Sequence, residues 1–145
     1  MQVFLETHRP KALSMPEFTY DPAITPTTGF LQTIRMNEGG QPIGTAVWHA
    51  AVDSKDGIVQ ILEFNIAPQL RRHGSGKRLM AALVGQVLAY HRARKMPLRR
   101  LWAALRHKSQ IIARAFFASE GFTHIATVKD LLANEEALIY IRTFD

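Results

Sequence analysis

The sequence predicts an α/β (α+β) fold in which helices are sandwiched against a mixed sheet. Three observations point there. Residues 30 to 67 read as strands broken by glycine-containing turns. Beyond Pro68 the apolar residues change to a spacing of three and four, the helical period. Strand-like and helix-like segments then alternate towards the end of the chain. The 145 residues, 47% hydrophobic and 21% charged, suit one compact domain over 1–145 with a core of its own.

Residues 1 to 7 read as a short strand. Residues 9 to 29 read as an irregular arm, because they hold Pro10, Pro16, Pro22 and Pro26 and show no helical period. FLQTIRMN, from Phe30, is a strand, EGGQ at 38–41 a turn, and PIGTAVWHAAV, to Val52, its hairpin partner. DSKDG is a second turn. IVQILEFNIAP, from Ile58, is nearly all apolar and predicts a central strand buried on both faces. Met80, Leu83, Val84, Val87 and Leu88 predict an amphipathic helix from residue 75 to about 95, ended by Pro97. LRRLWAAL (98–105) is a strand. SQIIARAFFASEGF is a helix with Ser109 as N-cap and Gly121 as left-handed C-cap. THIATV (123–128) and ALIYIRTF (137–144) are closing strands, with KDLLANEE between them as a loop or short helical turn.

No apolar run reaches about 18 residues, so no membrane span is expected. The first residues lack a basic start followed by an apolar stretch, so no signal peptide is expected. With no cysteine there is no disulfide, thiolate metal site or cysteine nucleophile, which fits a cytoplasmic location. No metal is expected. The formal net charge is +6, and between Glu63 and Glu120 there is no acidic residue, although that stretch holds 12 of the 18 lysines and arginines. Such a field attracts an anion: a nucleic acid, an acidic membrane surface or a phosphorylated small molecule.

Within that stretch RRHGSGKR (71–78) sits between the apolar strand and the long helix. The first amides of a helix have no partner in the chain and carry the positive end of its dipole, which makes an anion site. Gly74 and Gly76 permit unusual φ and let a ligand approach the backbone, while Arg71, Arg72 and Lys77 add charge. The segment is neither a Walker loop, since Lys77 is followed by Arg78, nor a dinucleotide fingerprint, since Gly74-Ser75-Gly76 runs on to Leu79. What remains is R-x-x-G-x-G at Arg71, Gly74 and Gly76. It resembles the acyl-CoA pyrophosphate loop of the GNAT superfamily of N-acetyltransferases. LEFNIAP (62–68) before it, and the run Gln110, Ala113, Phe116, Phe117, Gly121, Phe122 after it, resemble the same family, most strongly over 58–122.

The resemblance implies a mostly antiparallel central sheet of about six to seven strands flanked by helices, with the first helical region reduced. It implies acetyl-CoA as co-substrate and an amine acceptor, with direct attack of the amine on the thioester. Main-chain groups of Phe64, Ile66 and Ala67 then pair with the pantetheine arm, where the strand splays from its neighbour. Amides from Arg72 through His73, Gly74, Ser75 and Gly76 to Lys77 hold the pyrophosphate. Gln110, where the family has asparagine, reaches the pantetheine, and Phe117 lies beside the thioester sulfur or that arm. Phe116 and Phe122 are read as core. N–H groups near Ile66 serve the oxyanion.

Glu63 is the first candidate for general base, with Asn65 on the same side of the strand to orient substrate or water. Burial in the cleft would help Glu63 accept a proton, and pairing with an arginine is the other reading of that carboxylate. His49 and His107 are weaker candidates. Two departures stand out. The family commonly has a tyrosine acid where this chain has Phe117; Tyr20 and Tyr140 are other hydroxyls. The residues before Phe30 also lack the helices that wall the acceptor pocket, which is then open, or closed by the arm or by a partner subunit in a homodimer. The sequence therefore predicts an N-acetyltransferase acting on a primary amine of a small molecule or protein. A non-catalytic acyl-CoA sensor is the alternative. A nucleic-acid binder ranks third because no DNA- or RNA-binding motif appears.

Overall fold

Gly39 and Gly40, at φ 58° and 79°, make a two-residue turn of the kind whose twist matches paired strands. It closes the hairpin of β2 (Gly29–Glu38) and β3 (Gln41–Ala50). The computed structural model describes residues 16–25, 29–51, 55–68 and 74–145, so the expected strand at 1–7 lies outside it. Among the described residues the remaining elements are β1 (Glu17–Thr25), β4 (Ile58–Ile66), α1 (Ser75–Ala93), β5 (Arg100–Arg106), α2 (Ile111–Ser119), β6 (Thr123–Leu132) and β7 (Glu135–Thr143). The seven strands form one sheet in the order β1-β2-β3-β4-β5-β7-β6. All neighbours are antiparallel except β4 and β5. The fold is thus the mixed, mostly antiparallel α/β architecture expected.

Four expectations need correction. The stretch at 9–29 is not wholly irregular, because β1 pairs with β2 from Glu17 opposite Asn37 to Thr25 opposite Gly29. Pro22 is tolerated there because β1 is an edge strand, where a missing donor leaves no ladder bond unmade. Only residues 26–28 separate β1 from β2. KDLLANEE is strand rather than loop or helix: β6 runs to Leu132, with register shifts around Ile125 and before Leu132, and turns back through Asn134 at φ 64°. Ser109 does not cap α2. Gln110 is the N-cap residue, and the Ser109 hydroxyl donates instead to Glu135 at 2.8 Å. The fourth concerns β4, which is central but not buried on both faces. Leu62, Glu63 and Asn65 are exposed.

Both helices cover one face of the sheet. Trp48 of β3 meets Tyr90 of α1 edge-on at 5.4 Å, and Phe64, opposite Ala46, meets Phe116 and Phe117 of α2 at 5.4 and 5.7 Å. Ala46 and Trp48 are two apart and so point the same way. Ile34, Val59, Leu79, Leu83, Val87 and Leu101 fill the space between. No helix among the described residues is long and apolar enough to cross a membrane. α2 ends as its glycine predicts. Gly121, at φ 90°, donates to Ala118 O at 3.3 Å and Phe122 N to Phe117 O at 3.0 Å, the paired bonds of a Schellman turn.

Gly57 fixes the far end of the sheet. It sits at φ 68°, and its carbonyl accepts from Arg99 N at 2.7 Å and Arg100 N at 3.0 Å. A Cβ there would stand 2.3 Å from Pro97 O and 3.0 Å from Arg99 N, both backbone atoms. Gly57→Ala is expected to cost about 2–4 kcal/mol, since strain and clash add and neither can relax through a side chain. Urea unfolding measures it, and a loss under about 0.5 kcal/mol would contradict this geometry.

Candidate functional site

The parallel ladder between β4 and β5 is three pairs long: Ile58 with Arg100, Val59 with Leu101, Gln60 with Trp102. At Leu62 the β3–β4 register shifts, because Trp48 faces Ile61 while Val47 faces Glu63. Leu62 is the extra residue of a bulge, and a bulge bends its strand. β4 then parts from β5. The gap is a cleft of about 160 Å³ lined by Leu62, Glu63, Phe64 and Asn65 on one side and by Ala104, Gln110 and Phe117, among others, on the other. The splay also explains why an apolar strand at mid-sheet has exposed residues.

Glu63 lies opposite Val47 and Asn65 opposite Thr45, on the face away from the helices. They share that face as expected, and Asn65 Nδ2 donates to Glu63 Oε1 at 2.9 Å. Both are exposed, so the burial foreseen for Glu63 is not met. No arginine pairs with Glu63 among the described ion pairs. Ala67 N donates to Ile43 O at 2.9 Å. Its main-chain groups are therefore turned to β3, unlike the expected pairing with the pantetheine arm. By alternation the main-chain groups of Phe64 and Ile66 turn the other way, towards the splay.

At the start of α1 the two glycines differ. Gly74 is the N-cap residue at φ 81°, and a Cβ there would meet nothing within 4 Å. No side chain caps the helix, whose first turn holds no acid, so the amides of Ser75, Gly76 and Lys77 have no intrahelical acceptor. This open, positively polarised corner fits a phosphate group. Gly76 instead lies against α2, where a Cβ would sit 3.0 Å from Phe116 Cε1. Its missing side chain lets two helices approach, a role the sequence reading gave to ligand access. Lys77 Nζ is 3.1 Å from Glu120 Oε2, so its charge is tied to the end of α2 rather than left for the corner. Arg71, Arg72 and His73 lie outside the described residues.

Gln110 lines the cleft, and its Oε1 accepts from Arg106 N at 2.6 Å, which leaves its amide NH₂ as the donor on offer. Phe117 is buried at 1% exposure and meets Phe122 at 4.9 Å and Phe116 at 5.9 Å. Phe122 is core, as expected; Phe116 is half-buried between Phe64 and Gly76. Tyr140 is committed elsewhere, its hydroxyl 3.4 Å from Arg114 Nε. Neither it, nor Tyr20, nor either weaker histidine candidate, His49 or His107, lines the cleft.

One residue was missed from sequence. Glu135 of β7 accepts from Ser109 Oγ at 2.8 Å, Lys108 N at 2.9 Å and Ser109 N at 3.1 Å, with Arg106 Nη1 at 3.5 Å. The hydroxyl first, then these amides and the guanidinium, lower its pKa from 4.5 to about 2. It fastens the turn that carries Gln110 into the cleft. Because the ionised form is favoured by folding, its contribution is complete above pH 4.5 and is lost as pH falls towards about 2. Glu135→Gln should lower the melting temperature at pH 7, and the gap to wild type should close over that window. An unchanging gap would mean that charge is not what holds the turn. Nothing local in the sequence pairs Glu135 with Ser109, 26 residues away.

A family model described as the acetyltransferase (GNAT) family matches residues 3–122. No curated protein matches the sequence. Among solved structures, the ribosomal-protein-S18-alanine N-acetyltransferase of Escherichia coli is similar at TM-score 0.60 and 17% identity, over 77% of this chain and 67% of that one. The IAA acetyltransferase of Bacillus cereus is similar at TM-score 0.67 and 13% identity, over 88% and 100%. The PaiA N-acetyltransferase of Thermoplasma acidophilum, in complex with coenzyme A, is similar at TM-score 0.59 and 11% identity, over 79% and 61%.

Proposed function

Since the chain belongs to the GNAT acetyltransferase family, we propose that it transfers an acetyl group from acetyl-CoA to a primary amine by direct attack. The observation that carries this reading is the splay of β4 from β5 next to the uncapped start of α1. Acetyl-CoA supplies the activated acyl group, as a thioester with a thiolate leaving group. The corner at Gly74, with the first-turn amides of α1, suits its pyrophosphate, and Arg71, Arg72 and His73 belong to the same loop in sequence. Phe64 borders the gap that takes the pantetheine arm, with the Gln110 amide across from it, and the main chain of Ile66 continues the same edge.

Glu63 and Asn65 face away from α1 and α2, so the amine enters from there while the donor enters from the side of those two helices. Glu63 accepts the proton of the attacking ammonium, directly or through a water. The Asn65 hydrogen bond holds the carboxylate in place. A second reading, an acyl-CoA sensor without turnover, is favoured by Phe117, which has no proton for the departing thiolate and is walled in by three other phenylalanines.

Calorimetry with acetyl-CoA tests the shared part of both readings. Saturable binding at micromolar ligand is the expected result, and no heat at high micromolar ligand would overturn them together. Release of free CoA across a panel of small amines and N-terminal peptides then separates enzyme from sensor.

A further inference from the structure

Among the described residues, two groups of cations from the acid-free stretch stand at opposite ends of α1. Lys77 and Arg78 stand at the start of α1, whereas Arg92, Arg94, Lys95, Arg99 and Arg100 gather at its other end. Over 19 residues the helix sets them roughly 28 Å apart. Phosphates held at the corner of α1 would lie beside only the first of these groups.

All five distal cations are exposed. Among the described residues the ion pairs are Arg35–Asp21, Lys77–Glu120 and Arg106–Glu135, so none of the five is matched by a carboxylate. Asp56 and Asp145 lie nearby in the chain path, next to Gly57 and Phe144, and neither pairs with them. The helix dipole explains Arg92 in the last turn, but the other four lie beyond Ala93. The frame beneath them is fixed. Arg94 N and Met96 N donate to His91 O at 3.1 and 2.9 Å, Lys95 N to Arg92 O at 3.0 Å, and Arg99 N and Arg100 N to Gly57 O. The Arg94 guanidinium lies 3.7 Å over the Tyr90 ring.

We propose that this end of the domain docks the phosphate backbone of a nucleic acid, independently of the acetyl-CoA cleft. Four of the five cations are arginines, whose planar fork matches phosphate oxygens. They are spread along a turn and a strand start rather than converging on one pocket, which suits a repeating anion better than a single phosphate. A membrane surface fits less well, because no large apolar side chain between Arg92 and Arg100 is exposed to enter it. The inference does not depend on the acetyltransferase reading.

The test is fluorescence anisotropy of the full chain with a labelled single-stranded RNA of about 20 nucleotides, over a salt series. Binding is expected at about 50 mM salt, with log K falling against log salt at a slope of about −2 to −4. The variant Arg94→Gln/Arg99→Gln/Arg100→Gln should weaken it at least about tenfold and reduce the slope by about 2. Arg78→Gln/Lys108→Gln/Lys129→Gln removes as much charge elsewhere and should stay within about threefold. Saturating acetyl-CoA should leave RNA affinity unchanged. No binding at about 50 mM salt would overturn the proposal. So would equal losses in the two triple variants, which is diffuse attraction to net charge, or capture by phosphatidylserine vesicles without capture of RNA. Thermal melts check that both variants fold, and the single variants Arg94→Gln and Arg99→Gln serve if the triple does not.

Discussion

Gly74→Val should abolish acetyl-CoA binding, weakening it at least about 100-fold, or about 2.8 kcal/mol, while the protein stays folded. The geometry supplies both halves of that expectation. Gly74 sits at φ 81° and a Cβ there has no protein atom within 4 Å, so the branched side chain starts from open space. It stands at the helix start where the first-turn amides are offered, and a branched group would occupy the space a phosphate needs. The left-handed conformation costs a residue with a Cβ about 1–2 kcal/mol, enough to lower the melting temperature by several degrees but not to unfold the domain. Gly74→Asn separates the two effects, because asparagine tolerates that backbone conformation yet still fills the corner. Calorimetry reads both variants. Wild-type affinity in Gly74→Asn would mean the corner is not where the ligand sits. Gly76→Ala makes a useful contrast: its methyl group would press on Phe116 at 3.0 Å, disturbing helix packing rather than the corner.

Glu63→Gln should lower kcat/KM by about 10²- to 10³-fold, or about 3–4 kcal/mol of barrier, with acetyl-CoA affinity unchanged. Glutamine keeps an oxygen that can accept the 2.9 Å bond from Asn65, so the loss isolates proton acceptance from geometry. A CoA-release assay alongside calorimetry reads both quantities. A change below about threefold would move the base to another group or to solvent. Asn65→Ala should give a smaller loss, because it frees the carboxylate without removing it.

What could be read in the sequence followed from local chemistry. The Gly39-Gly40 turn, the helix from Ser75, the Gly121 terminus and the strand at Leu101 all rest on signals a few residues long. The Glu63–Asn65 pair was legible because strand alternation is local too. The errors arose where partners far along the chain decide the outcome. Pro22 reads as a breaker until an edge position makes its missing donor harmless. The exposure of β4 depends on its parting from β5, whose partnering residues lie about forty positions on. Gly76 reads as a ligand-binding glycine like Gly74, and only the Phe116 ring reveals its different purpose. Ser109 looks like a cap until Glu135 takes its hydroxyl.

The three-pair ladder between β4 and β5 has a mechanical consequence. The sheet is two panels joined along a short seam: β1 to β4 with α1, and β5 to β7 with α2. Besides that seam, the phenylalanine cluster and the Lys77–Glu120 link fasten one panel to the other. A ligand arm laid in the open part would act as a missing stitch. Amides of β5 near Ala104 should then exchange more slowly with deuterium once acetyl-CoA is bound, and the two panels should part less readily.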